Sequence, residues 1–345
     1  MIAGALAWNV LLSGALSFLA ACAFALLARR RVFDRRPRLA ALLLALPFVK
    51  LAVELARGVP ADAFFWEKTR GAVQEQGSFV IGAGVGRFGP IVRFAFGATY
   101  HGVSRPLSAA DGLATIVDRR LGAGTSAALG VALASIGLAL AAREIARLWR
   151  TARACRALAK AGTVVETRRA GARRVDVIVS AAWRGVPFAG GVLRPFVCVS
   201  GAVWAALSAG EREAVVRHEL AHLRWFDGAL LASARVARAL LWFVPGAGAA
   251  LRALATQCEI AADADAVRGG VAPAVLASAL VRAGEVVTAA RAPLLSLFRR
   301  ERPAFVRRVR RLVDGEPPRA LGVVPTALAV VIAVTVLRMT FFGNP

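Results

Sequence analysis

Four apolar runs of membrane length dominate this chain: Ala3 to Leu27, Leu39 to Ala56, Ala123 to Ala142 and Leu321 to Leu337. About 20 consecutive apolar residues cross the hydrocarbon core of a bilayer, so each run is long enough to span one. Hydrophobic residues make up 58% of the chain and the mean hydropathy is +0.60, well above an ordinary soluble domain. The sequence predicts four transmembrane helices, with the first uncleaved: it lacks a preceding basic residue and is followed by Arg29-Arg30-Arg31 and Arg35-Arg36 rather than a cleavage site. Short arginine-rich loops stay in the cytoplasm. The N-terminus is therefore expected outside, residues 57–122 outside, and the arginine-dense stretch 143–319 inside a bacterial inner membrane.

The expected organisation is a membrane domain over 1–142 carrying three spans and an external loop 57–122, a cytoplasmic domain over 143–319, and a fourth span with a short tail over 320–345. The net charge of +24 follows from this topology. It is read as retention on the inner side and attraction to anionic membrane lipid, so no direct nucleic acid binding is expected. The cysteines at 22, 155, 198 and 258 show neither metal-type nor disulfide-framework spacing, and read as small buried residues.

Within the cytoplasmic stretch, β-branched and alternating segments at 164–166, 175–179, 187–190 and 195–199 predict short strands. Ser208-Ala209-Gly210-Glu211 forms a capping box ahead of a helix expected over Ala209 to Trp225. Gly228 to Val244 is apolar enough to resemble a further span, but if His222 and Glu259 hold one ion the chain between them cannot end across the bilayer, and Arg235 and Arg238 agree; Ala229 to Leu254 is read as a hairpin of two helices turning at Pro245-Gly246-Ala247-Gly248. Further helices are expected at Val271 to Ala290 and Phe305 to Val313. The overall class is α+β, mostly α.

The chemistry lies in His218-Glu219-Leu220-Ala221-His222. Two histidines four apart on a helix stand on one face, a zinc clamp, with Glu219 beside them as general base. The chain has only 3 histidines, and two of them sit at this spacing. A catalytic zinc needs a third protein ligand and an open position. Glu259 is the candidate, against its reading as a solvated helix carboxylate. Asp263, one turn further on the same face, is placed to accept a hydrogen bond from a ligand histidine. Asp227 has two readings, a similar supporting role or a helix-end hydrogen bond. Asp265 reads as a surface charge. The group that steadies the oxyanion is not evident, Arg268 being one arginine in range. Lys50 and Glu54 read as a snorkelling pair at a membrane interface, and Gly82 to Gly86 as a flexible stretch.

The chain resembles the antirepressor-type membrane metallopeptidases known from the β-lactam sensor-transducers BlaR and MecR. The resemblance rests on the first three spans, on Leu207-Ser208 ahead of Glu213 to Arg224 with Asp227, on Leu241 to Pro245, on Glu259 with Ala262-Asp263, and on the Pro187 to Gly190 and Leu193-Arg194-Pro195 strand region. It implies a cytoplasmic gluzincin-type zinc endopeptidase with Glu219 catalytic, cleaving a protein substrate, often a cytoplasmic transcriptional repressor, in signal-responsive proteolysis. A homo-oligomer is compatible with it. Those sensors carry a penicillin-binding domain after the last span, which this sequence lacks, so a stimulus is expected to enter through residues 57–122, the spans or a partner. Two alternatives are a CAAX-protease or quality-control membrane metallopeptidase and a non-catalytic membrane signalling scaffold.

Overall fold

Residues 163–200 supply every strand found among the described residues of the computed structural model, which are residue 25 and residues 37–57, 123–191, 193–243, 246–290 and 302–314. The strands are β1 (Thr163–Ala170), β2 (Arg173–Ser180), β3 (Phe188–Gly190) and β4 (Phe196–Ser200), in spatial order β1-β2-β4-β3. β1 and β2 form an antiparallel hairpin turned at Gly171, whose φ of 64° is a left-handed conformation open to glycine at no steric cost. β2 and β4 run parallel and β3 returns antiparallel to β4. All five residues of β4 are buried, because both of its faces are covered.

On one face Val175, Val177, Val197 and Val199 join a core with Val215 and Val216. On the other, Ile178, Phe196 and Cys198 pack against Cys155 and Ala159. These partners come from two helices, the one carrying His218 and His222 and a long one that precedes the sheet. The helices are α1 (Pro37–Arg57), α2 (Ala123–Lys160), α3 (Gly201–Ala206), α4 (Ala209–Arg224), α5 (Asp227–Leu240), α6 (Ala247–Arg268), α7 (Pro273–Ala290) and α8 (Arg302–Val313). The hairpin read over 229–254 is thus α5 followed by the start of α6, and α2 runs unbroken through residues 142 and 143.

Ser208 and Glu211 make both arms of the capping box, the Glu211 backbone N–H donating to the Ser208 hydroxyl oxygen at 3.3 Å and the Ser208 backbone N–H to the Glu211 carboxylate at 2.9 Å. The same carboxylate accepts from the Ser278 hydroxyl of α7 at 2.6 Å, so one buried acid starts α4 and fixes it to its neighbour. A second layer forms where α1 lies on α5 and α6: Ala41, Leu44, Ala45 and Phe48 meet Ala234, Leu241, Ala250 and Leu254. Leu44 and Leu254 are fully buried, each worth roughly 1.5–3 kcal/mol of transfer free energy. Gly137 permits a close crossing of α2 over α5, since a Cβ there would lie 2.6 Å from the Leu240 carbonyl oxygen.

Among the described residues no helix is long and apolar enough to cross a membrane. Of the four apolar runs, 39–56 and 123–142 are helical, within α1 and α2. The runs 3–27, residue 25 apart, and 321–337 lie outside the described residues, as do 58–122 with His101 and the Gly82 to Gly86 stretch.

Candidate metal centre

α4 carries His218 and His222 one turn apart, and α6 brings Glu259 against them. Their ligating atoms lie within 4.8 Å of one another. The His218 and His222 Nε2 atoms are 3.2 Å apart, and the Glu259 carboxylate oxygens stand 3.6 Å from each of them. Ligands at about 2.0–2.1 Å from a tetrahedral ion are spaced by about 3.4 Å, so the triangle has the size of one face of such a coordination sphere.

The other nitrogen of each ring explains why the Nε2 atoms converge. Asp263 Oδ1 stands 3.0 Å from His218 Nδ1, and Asp227 Oδ2 stands 2.8 Å from His222 Nδ1. At His222 this carboxylate is hydrogen-bonded to Nδ1, which holds the proton there and leaves the Nε2 lone pair facing inward; at His218 the Asp263 oxygen is close to Nδ1 but not aligned as a hydrogen bond. The two Nε2 atoms, 3.2 Å apart beside a carboxylate, share a proton in the metal-free protein and, with both rings neutral, converge on a position a cation can fill. The donor set therefore fits a divalent metal of the zinc type, and His218, His222 and Glu259 are the residues that could hold it.

The local chain path makes this possible. Phe226 adopts φ 57°, the only non-glycine residue with positive φ among the described residues, a conformation that costs on the order of 1 kcal/mol for an ordinary side chain. It reverses the chain between α4 and α5 so that Asp227 points back at His222. The Arg173 guanidinium offsets the strain by lying over the Phe226 ring at 4.1 Å and donating to the Leu223 carbonyl.

Charge at the centre is strongly shifted. Burial depresses the His218 imidazolium, but the Asp263 and Glu259 carboxylates beside it outweigh that and push the group up to about 10. Burial raises Glu259, yet hydrogen bonding to His218 and the nearby Arg308 charge bring it down to about 2. Asp263 is likewise held well below the usual carboxylate range, its hydrogen bonds to Arg308 and the nearby His218 charge overcoming burial. Glu219 moves the other way: it is 8% exposed, and burial raises its carboxyl despite the two histidines beside it.

The sequence reading missed Arg308. From α8 its guanidinium donates to both oxygens of Asp263 at 2.8 Å, pairs with Glu259 Oε2 at 2.6 Å and comes within 3.5 Å of His218 Nε2. A sequence signal existed. Arg308 stands in register with Phe305, Val309 and Leu312 on the inward face of α8, whereas Arg307 and Arg310 are exposed. Arg268, the arginine considered from sequence, instead pairs with Asp265 and is largely exposed. Asp265 departs from the surface reading: its side chain is 17% exposed and accepts from Arg38 at 3.0 Å, because α1 covers that end of α6. Cys258 is fully buried beside Asp227, its thiol pushed up to about 12 chiefly by burial.

Residues 126–272 match the family model described as BlaR1 peptidase M56. Over that stretch the chain is similar to the BlaR1 peptidase M56 family. That segment contains His218, Glu219, His222, Asp227, Glu259 and Asp263, and leaves Arg38 and Arg308 outside it. No curated protein and no solved structure matches the chain.

Proposed function

We propose that this chain is an integral-membrane, zinc-dependent endopeptidase of the gluzincin type, acting on a cytoplasmic regulatory protein such as a transcriptional repressor. The observation that carries the reading is the triangle of His218, His222 and Glu259, with each imidazole backed by its own carboxylate, inside a segment of M56 type. The metal, when bound, supplies Lewis-acid polarisation of the scissile carbonyl and acidifies water. The protein's own groups do the rest. Glu219, its carboxyl raised by burial, accepts a proton from the attacking water and returns it to the leaving amine. Arg308, with its donors already at the centre, stabilises the negative charge that develops on the carbonyl oxygen.

An extended substrate pairs with the free edge of β3, which packs on the ligand helix, main-chain hydrogen bonds supplying affinity. The four-span topology with the catalytic unit inside is supported by apolar side chains left facing outward on α1 and α2. Leu42 is 54% exposed, Val131 55% and Leu138 63%, a stripe that lipid would cover. The test is Glu219→Gln in the purified full chain: zinc stays stoichiometric while peptide hydrolysis falls by at least about 100-fold. Unchanged turnover removes the general-base assignment, and a native protein without zinc removes the enzyme. Cleavage of a repressor at one discrete bond, rather than broad clipping of misfolded membrane proteins, is the result expected for the substrate class.

A further inference from the structure

The metal centre is tied to a residue far from it in sequence and outside the matched segment. Arg38, in the first turn of α1, is buried, its side chain 11% exposed. Its Nη1 donates to both carboxylate oxygens of Asp227 at 2.7 Å, and its Nε donates to Asp265 at 3.0 Å. The guanidinium lies 5.4 Å from the centre of the Trp225 ring. Asp227 is 3% exposed, and its Oδ2 also faces His222 Nδ1 at 2.8 Å. One buried carboxylate is thus shared between an arginine of α1 and a metal-binding imidazole of α4.

The physical consequence follows from what a buried carboxylate needs. Asp227 fixes the His222 tautomer only while its carboxylate is correctly aimed. Arg38 sets that aim: its Nη1 contact with both oxygens fixes the rotation of the carboxylate. The second bond to Asp265 ties the same guanidinium to α6, the helix that presents Glu259. A single cation at the head of α1 therefore braces both ligand-bearing elements. In the topology proposed above, α1 enters the bilayer just beyond Arg38.

We propose that Arg38 is a positioning residue for the metal centre, holding His222 in its ligating orientation through Asp227 and making the seat of α1 part of the metal site. The inference rests on the reading of His218, His222 and Glu259 as ligands. It goes beyond that reading by placing a residue of the N-terminal helix behind one of them.

The experiment uses the full chain in detergent. Zinc affinity is measured by competition with a chromophoric chelator, and ligand geometry by the visible absorption of the Co2+-substituted protein. Arg38→Gln is expected to weaken zinc binding on the order of 10- to 100-fold, the usual effect of losing support behind a ligand histidine, and to shift the Co2+ bands. Arg38→Lys keeps the charge but cannot reach Asp227 and Asp265 with two separate nitrogens as Arg38 does, and is expected to fall between. In the Asp227→Asn background, Arg38→Gln should add less than about twofold, because contacting residues of one network are not additive. Affinity within twofold of native in Arg38→Gln, or full additivity with Asp227→Asn, overturns the proposal. Should Arg38→Gln not fold, native affinity and native Co2+ bands in Arg38→Lys overturn it equally. Glu259→Gln separates the two levels. If that substitution leaves zinc binding intact, or native protein binds no zinc, the ligand reading fails and this inference with it. If Glu259→Gln abolishes binding while Arg38→Gln does not, only the role of Arg38 is lost.

Discussion

Replacing Arg308 by Met removes a charge but keeps much of the volume, and its effect should depend on whether zinc is bound. Arg308 is 12% exposed at the side chain and Asp263 7%, so without metal the substitution leaves Asp263 ionised and buried with His218 as its remaining partner. Removing one partner of a buried pair costs about 3–5 kcal/mol. The Glu259 side chain is 39% exposed, and solvent screens that second pair to a contribution of about 1 kcal/mol or less. Because Asp263 keeps His218, the lower end applies, about 3 kcal/mol. At roughly 2–4 °C per kcal/mol for a unit of this size, the metal-free variant should melt about 6–12 °C below native protein. Zinc places two positive charges beside the same carboxylates, so the deficit should shrink to about a third in the loaded protein. Differential scanning fluorimetry in detergent, with and without chelator, reads both. In the loaded enzyme, kcat should fall by about 100- to 1,000-fold with KM little changed, the effect of losing one oxyanion donor. Equal melting deficits with and without zinc would refute the shared-charge argument, and a normal kcat would refute the oxyanion role.

Because His218 titrates near 10 in the metal-free protein, it carries a proton at pH 7.5 that zinc must displace. Calorimetric titrations in buffers of different ionisation enthalpy should show release of about one proton per zinc, and none would contradict the carboxylate-backed geometry. The Glu211 carboxyl is lowered by its Ser278 and Ser208 hydrogen bonds, so its contribution is present above the unfolded value of 4.5 and is lost as pH falls through the lower folded value. Glu211→Gln should therefore cost about 1 kcal/mol at pH 7 by urea unfolding, with the gap to native protein closing below about pH 4.5; a gap that widens in acid would reverse the sign. Gly137→Val should cost about 1–3 kcal/mol by overpacking, because the added Cβ meets the Leu240 backbone at 2.6 Å. A neutral substitution there would show that α2 does not cross α5 closely.

Much of the unit around the candidate metal centre is legible because its signals are local. The capping box at Ser208 and Glu211, the strands around 163–200 and the helix carrying both histidines follow from spacing within a few residues, which hydrogen-bond geometry converts directly into structure. Glu259 and Asp263 are also four apart, so their shared helical face is a sequence property. Asp265 shows where this stops: its spacing leaves it free to face solvent, and only the packing of α1 over that end of α6 buries it against Arg38.

The sequence by itself therefore determined which imidazoles stand together and which carboxylates share a helix, since a 3.6-residue repeat decides that without reference to the rest of the chain. Tertiary structure alone decided which distant charges answer them. Among many arginines of similar local context, Arg38 and Arg308 became partners of Asp227 and Asp263 because α1 and α8 dock where those acids are buried. A buried carboxylate takes its counter-charge from whichever cation packing brings within reach; spacing can mark an arginine as inward-facing, as it does Arg308, but not which acid it meets.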